Sequence, residues 1–111
     1  MRKESLEVTY KPLDKAEVEE GIRSEVLAMP EPLQRFYRSV ALPVYHAAYA
    51  DSRERPSVFV VAKSGHRVVF YDGVEDDFGI GTIADDASLK NCGLVGELQF
   101  ALIALQGSQE T

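Results

Sequence analysis

Six carboxylates lie between positions 72 and 86, and they are the residues of this chain with the most chemical potential. Carboxylates this close together could bind a divalent cation, serve a small metal-dependent enzyme or attract a basic protein. A calcium loop needs alternating oxygen ligands, a central glycine and a glutamate at its twelfth position, an order that Asp72-Gly73-Val74-Glu75 does not supply. We therefore predict no metal site here. The six residues are Asp72, Glu75, Asp76, Asp77, Asp85 and Asp86.

Two interpretations of these six carboxylates stay open at this point. Aspartate is common in solvated turns, because its side chain accepts hydrogen bonds from nearby backbone N–H groups. Carboxylates on the rigid ends of strands can instead steer a basic partner and pair with its lysine or arginine side chains. The six residues are therefore candidates for partner binding.

Cofactor and catalytic signatures are weak elsewhere in the chain. The stretch Gly79-Ile80-Gly81-Thr82-Ile83-Ala84 has the glycine spacing of a dinucleotide-binding loop, but it reads as a strand and runs into Asp85-Asp86, whose charges oppose a phosphate. His46 and His66 have no cysteine or carboxylate at a metal-ligand spacing. We predict no catalytic residue and no cofactor.

Charge is unevenly distributed along the 111 residues, whose net charge is −6. Residues 1–55 carry nine Lys or Arg and ten Asp or Glu, whereas residues 56–111 carry three and eight. Nucleic-acid binding needs clustered basic side chains, so an acidic second half argues against it and favours a basic protein as the partner.

Length and composition indicate one domain that spans residues 1–111. A chain of this size can bury one core, and 45% hydrophobic with 27% charged residues is typical of a globular protein. No apolar run approaches the roughly 18 residues that cross a membrane, and the single cysteine suits a reducing compartment. We expect a cytoplasmic protein that does not bind membranes.

The N-terminal half predicts a strand followed by helices. Apolar residues alternate over residues 5–10, which is typical of a short strand. Asp14 and Glu17 match a capping box at the start of a helix over 14–28. A second helix is expected from Pro32 to about Leu42, followed by one or two further helical turns over Val44 to Ala50.

The C-terminal half predicts a β-hairpin over residues 58–71, a third strand at about 78–83 and a final helix capped by Asn91. With Ser64-Gly65 as the turn, Lys63 would pair with His66. Both faces of the hairpin are apolar, so we place it at the centre of its sheet. The predicted fold is α+β, a small antiparallel sheet packed by two or three helices.

The hairpin and acidic turn from Val60 to Phe78 resemble a segment of small, single-domain bacterial immunity-like proteins, which neutralise a toxin. The resemblance implies a protein that binds its target and has no chemistry of its own, and it assigns no contact residue. We therefore expect a non-enzymatic protein-binding domain, and the resemblance implies an immunity-type inhibitor that binds a basic toxin or enzyme through its acidic surface. The alternatives are a self-associating structural module, in which the glycine face of the third strand or an exposed sheet edge forms a homodimer, and a small metal-dependent enzyme.

Overall fold

The computed structural model describes residues 14–50 and 58–108, which form the predicted α+β fold. Five strands make one antiparallel sheet in which each strand pairs with its neighbours in sequence, and three helices pack on it. The predicted strand over residues 5–10 lies outside the described residues. The elements are α1 (Lys15–Leu27), α2 (Glu31–Val40), β1 (Ala41–Ala47), β2 (Val58–Ser64), β3 (Arg67–Asp72), β4 (Asp77–Ile83), β5 (Leu89–Gly96) and α3 (Leu98–Ser108).

The first two helices begin as the sequence predicts. Asp14 caps α1 by accepting a hydrogen bond from the backbone N–H of Glu17 at 2.9 Å, and the Glu17 side chain accepts one from the Asp14 N–H at 3.0 Å. Pro32 lies in the first turn of α2, where a missing N–H costs nothing. Both helices therefore start at local signals.

The prediction of helical turns over Val44 to Ala50 was wrong, because residues 41–47 form the edge strand β1. Pro43 has no N–H to give to a helix or a central strand, but an edge strand tolerates it. The β-branched Val44 and the aromatic Tyr45 also favour an extended backbone.

The hairpin of β2 and β3 is confirmed, but its predicted register was wrong. Ser64 pairs with Arg67 and Lys63 with Val68, so the turn residues are Gly65 and His66 and each partner next to the turn is two residues from the predicted one. Gly65 has φ +62, and a glycine at the first central position is what a type II′ hairpin turn requires. A β-bulge between Val60 and Ala62 then shifts the pairing by one residue, so Val61 shares a face with Val69 and not, as predicted, with Val68.

The start of the final helix was also predicted wrongly. Residues 89–96 form β5, and helix α3 begins only at Leu98. Asn91 has φ +54, a left-handed conformation that asparagine tolerates, and it lies at an irregularity of the β4–β5 pairing instead of capping a helix. Gly93 and Gly96 both disfavour a helix, and Gly96 has φ +107.

The sheet buries a hydrophobic cluster on each face, which explains why the central hairpin is apolar on both sides. The cluster under the helices includes Phe59, Val61 and Val69 of the sheet and Leu102 and Leu105 of α3. The opposite cluster is formed by buried residues of the three strands β2, β3 and β5, with Tyr49, Ile83 and Cys92 packed against it. Its fully buried members are Val58, Val60, Val68, Phe70 and Leu89.

The segment that follows β1 covers this second cluster. Tyr49 forms a parallel bridge with Leu89, the first residue of β5, and its ring meets Phe70 edge to face at 5.7 Å. The segment after one edge strand thus pairs with the first residue of the other edge strand. None of the described helices is long and apolar enough to cross a membrane.

Candidate functional site

The turn between β3 and β4 is held by the buried carboxylate of Asp72. Its Oδ1 accepts hydrogen bonds from the backbone N–H groups of Val74 and Glu75 at 2.9 and 3.1 Å, and its Oδ2 accepts one from the Tyr49 hydroxyl at 2.6 Å. Asp72 is only 2% exposed, so it lies inside the protein and not on a surface that a partner could reach. Of the six candidate carboxylates, this one shapes the turn.

Asp76 fixes the other side of the same turn. Its φ of +58 is a left-handed conformation, its N–H bonds the Asp72 carbonyl at 2.8 Å, and its Oδ1 accepts a hydrogen bond from the Tyr71 hydroxyl at 2.6 Å. Burial, the bond to Asp76 and the surrounding carboxylates raise the pKa of Tyr71 well above its ordinary value. The turn is therefore a rigid carrier for the exposed Glu75 and Asp76.

The structure does not bring all six predicted carboxylates together. Strand β4 separates Asp77 from Asp85 and Asp86, and its length places the two groups about 20 Å apart. Asp86 accepts hydrogen bonds from the Ser88 hydroxyl and backbone N–H, which hold the pKa of this carboxyl below its usual value. Asp85 and Asp86 are exposed in the β4–β5 turn, as expected of solvated aspartates.

Helix α1 adds carboxylates to the β3–β4 turn. A cleft of about 130 Å³ lies between this helix and the turn, and both Glu17 and Glu25 line it together with Asp76. No lysine or arginine of the described residues lines this cleft. We call Glu17, Glu25, Glu75, Asp76 and Asp77 the acidic end; the remaining lining residues of the cleft are Val18, Gly21, Ile22, Tyr71 and Phe78.

Each carboxylate of the cleft is oriented by a hydrogen bond. Glu17 accepts from the Asp14 N–H, Asp76 from the Tyr71 hydroxyl, and Glu25 from the N–H of Leu98 at 3.0 Å, which satisfies a free donor at the start of α3. Each of these bonds engages one oxygen of its carboxylate. The arrangement is therefore a fixed set of acceptors that suits the end of a lysine or arginine side chain.

The described residues offer no group of side chains with the geometry of a metal site. No three His, Cys, Asp or Glu side chains among these residues are grouped so that they could hold a metal ion.

Comparisons with known proteins do not indicate a function. The chain matches no protein-family model, no curated protein and no solved structure.

The contribution of α1 to the site was missed in the sequence. Glu17 was interpreted only as a cap, although Glu17, Gly21 and Glu25 recur every four residues and so share one face of the helix. That spacing was the available signal. What it could not reveal is that this face lies against Tyr71 and Asp76, because that depends on how the helix packs on the sheet.

The raised pKa of Tyr71 predicts a loss of stability at alkaline pH. The folded protein keeps the phenolic proton to higher pH than the unfolded chain, so this contribution is complete below the unfolded pKa of about 10 and is lost as pH rises above it. In Tyr71→Phe the fall in unfolding free energy above pH ~10 should be shallower than in the wild type. Urea unfolding at several alkaline pH values measures this, with Tyr45→Phe on the exposed edge strand as the control. Equal slopes for Tyr71→Phe and the wild type would contradict the prediction.

Proposed function

We propose that this chain is a protein-binding domain without catalysis of its own, whose acidic end binds a basic surface of another protein as a toxin-neutralising inhibitor does. The observation that carries the proposal is the cleft at this end, where three carboxylates are fixed by hydrogen bonds and no described cation neutralises them. Like charges held together in this way favour an incoming positive charge.

The size of this cleft favours a single side chain over a small-molecule substrate as its occupant. Sites for small-molecule ligands generally enclose about 300 to 1,000 Å³, whereas this cleft measures about 130 Å³. It has room for the end of one long basic side chain, with Glu75 and Asp77 beside it on the turn. A partner with one lysine or arginine in the cleft and further basic residues around it would complement the acidic end.

Rigidity is the second supporting argument. The turn is held by the bonds of Asp72 and Asp76, and α1 is tied to the start of α3 by Glu25. A surface that is already ordered loses little conformational entropy on binding, so more of the interaction energy is available as affinity.

Charge reversal at Glu75 provides the main test. Glu75→Lys should slow association with a basic partner roughly three- to tenfold at low salt and flatten its salt dependence. Asp76 is not chosen, since a change there would also remove the bond to Tyr71. Asp85→Lys is the matched control: it makes the same change of net charge on an exposed turn at the far end of β4 and should slow association much less.

The partners for this experiment are the purified products of the reading frames that flank this one, each immobilised for kinetic measurement at about 50 and about 500 mM salt. The melting temperature of each variant is measured beside its kinetics, so that a loss of folded protein is not counted as a loss of binding. Equal slowing by both variants would show that only net charge matters and would contradict binding through the acidic end.

A lysine-rich peptide is a simpler probe that does not require the natural partner. In an NMR titration, the largest amide shifts should appear at Gly21, Glu25, Tyr71 and Asp76, around the cleft. Shifts concentrated at residues 84–88 would instead place the cation-binding surface at the other end of the sheet.

A further inference from the structure

A second cleft lies on a different side of α1 from the acidic end, between this helix, α2 and β1. We call it the α1–α2 cleft. Its volume is about 470 Å³, within the range of about 300 to 1,000 Å³ that is usual for small-molecule sites. Its walls are mainly apolar, so they can shield the apolar part of a ligand from water. The apolar side chains that line it are Ile22, Val26, Leu27, Leu42 and Val44.

The Tyr37 hydroxyl is a hydrogen-bond donor that also lines this cleft. Tyr37 is half-buried on α2, and none of the described residues accepts a hydrogen bond from its hydroxyl. Burial and the nearby Glu19 carboxylate raise the pKa of Tyr37 above its ordinary value. The phenol therefore stays protonated, and it can donate to an acceptor that enters the cleft.

The charges around the α1–α2 cleft differ in sign from the net charge of the chain. Among the described residues that line it, Arg23 and Arg38 give two positive charges against the one negative charge of Glu19, whereas the whole chain carries −6. Arg23 is already paired with Glu20, but Arg38 forms no ion pair with any described residue. The Arg38 guanidinium can therefore bind a carboxylate through two parallel hydrogen bonds.

We propose that the α1–α2 cleft binds a small amphipathic anion, a carboxylate on an unbranched apolar chain of medium length. The chain lies on the apolar walls, and the carboxylate accepts hydrogen bonds from Arg38 and from the Tyr37 hydroxyl. Charge decides between ligand classes here. A neutral apolar molecule would leave both donors unpaired, and an amphipathic cation would meet two arginines. A doubly charged headgroup would be repelled more strongly by Glu19 than a single carboxylate.

This site is separate from the acidic end, and it does not depend on the function proposed for that surface. Calorimetric titration of the full chain with hexanoate, octanoate and decanoate at neutral pH tests the ligand class. Each further methylene that enters the cleft should tighten binding roughly fourfold. In an NMR titration with decanoate, the largest amide shifts should appear at Ile22, Val26 and Tyr37. No saturable binding, or the largest shifts at the exposed Phe100 and Ile103 of α3, would overturn the proposal.

Charge variants test how the carboxylate is held. Arg38→Gln should weaken decanoate binding roughly three- to tenfold, because it removes the charged donor. Glu19→Gln should tighten binding roughly two- to threefold, because it removes a like charge. Arg35→Gln is the matched control: it loses the same charge on the same helix, but Arg35 pairs with Glu31 and does not line the cleft, so its binding should equal that of the wild type.

The opposite signs expected for Arg38→Gln and Glu19→Gln separate recognition of the carboxylate from simple partition of an apolar chain into the cleft. The melting temperature of each variant is measured beside its affinity, so that a loss of folded protein is not counted as a loss of binding. Equal weakening by Arg38→Gln and Arg35→Gln, or unchanged affinity in both Arg38→Gln and Glu19→Gln, would overturn the proposal.

Discussion

Replacing Asp72 by alanine is expected to lower the free energy of unfolding by about 3 kcal/mol, a large share of the stability of a small domain. The substitution removes the acceptor of three hydrogen bonds, from the Tyr49 hydroxyl and from the N–H groups of Val74 and Glu75. A hydrogen bond to a charged group contributes about 1.5 to 3 kcal/mol. The expected loss of stability is smaller than the sum for three such bonds. Once the carboxylate is gone, water can bond the two N–H groups in the exposed turn.

Tyr49→Phe and Asp85→Ala are the controls for this prediction. The first removes the hydroxyl bond to the Asp72 carboxylate and should cost about 1.5 kcal/mol. The second deletes an exposed aspartate of the β4–β5 turn and should change stability by less than about 0.5 kcal/mol. Urea unfolding with an unchanged m value provides the comparison. If Asp72→Ala cost no more than Asp85→Ala, the turn would be stable without its buried carboxylate.

Asp72 also connects the fold to the proposed binding surface. The carboxylate bonds Tyr49, which covers the second hydrophobic cluster, and it bonds the turn that presents Glu75. A looser turn would have to be ordered again on binding, which reduces affinity. We therefore expect Asp72→Ala to weaken binding of a basic partner even though its own carboxylate never contacts that partner.

Local signals in the sequence were sufficient to predict those helices and strands whose ends are fixed by residues close in the chain. Asp14 and Glu17 predicted the start of α1, and the β-branched residues around Gly65 predicted the hairpin. The register of that hairpin was predicted wrongly, because Ser64-Gly65 and Gly65-His66 both match two-residue turns. Only the positive φ of Gly65 at the first central position decides between them.

Where the sequence pattern fits both a helix and a strand, tertiary contacts determine which of the two forms. Leu94, Leu98 and Leu102 have helical spacing, but the first of them belongs to β5 and the other two to α3. The strand forms because its backbone groups pair with β4 and Leu89 fills the second cluster. Propensity is a weak prior where such contacts are available.

The candidate site could be predicted only in part for a similar reason. The sequence showed that Glu75, Asp76 and Asp77 follow a strand, and a strand of seven residues separates them from Asp85 and Asp86. It gave no indication that Glu25 lies beside Tyr71, because residues 46 positions apart in the chain meet only through the packing of α1. The acidic turn was predicted, whereas the acidic cleft required the structure.

Gly79→Ala is expected to lower the free energy of unfolding by about 3 kcal/mol, although it adds only one methyl group. A Cβ at this position would stand 2.6 Å from the Gly93 carbonyl oxygen and 2.6 Å from Cζ of Phe70. The first atom belongs to the paired strand β5 and the second to a ring with no exposed surface, so neither can move away cheaply. The glycine face of β4 is thus buried against Phe70 and β5.

Substitutions at two other glycines test whether the loss of stability in Gly79→Ala comes from the steric contacts of the added methyl group. Gly21→Ala, in the interior of α1 where an added Cβ meets no described atom within 4 Å beyond the backbone of its own helix, should stabilise the protein by about 0.5 to 1 kcal/mol. Gly81→Ala meets the Cys92 sulfur at 2.7 Å, and Cys92→Ala should restore part of its lost stability in a double-mutant cycle. Gly79→Ala should gain nothing from Cys92→Ala, since a backbone oxygen opposes it. If Cys92→Ala rescued both variants equally, β5 as a whole would have to shift to accommodate a methyl group. The close approach of β4 and β5 would then not explain why position 79 needs a glycine.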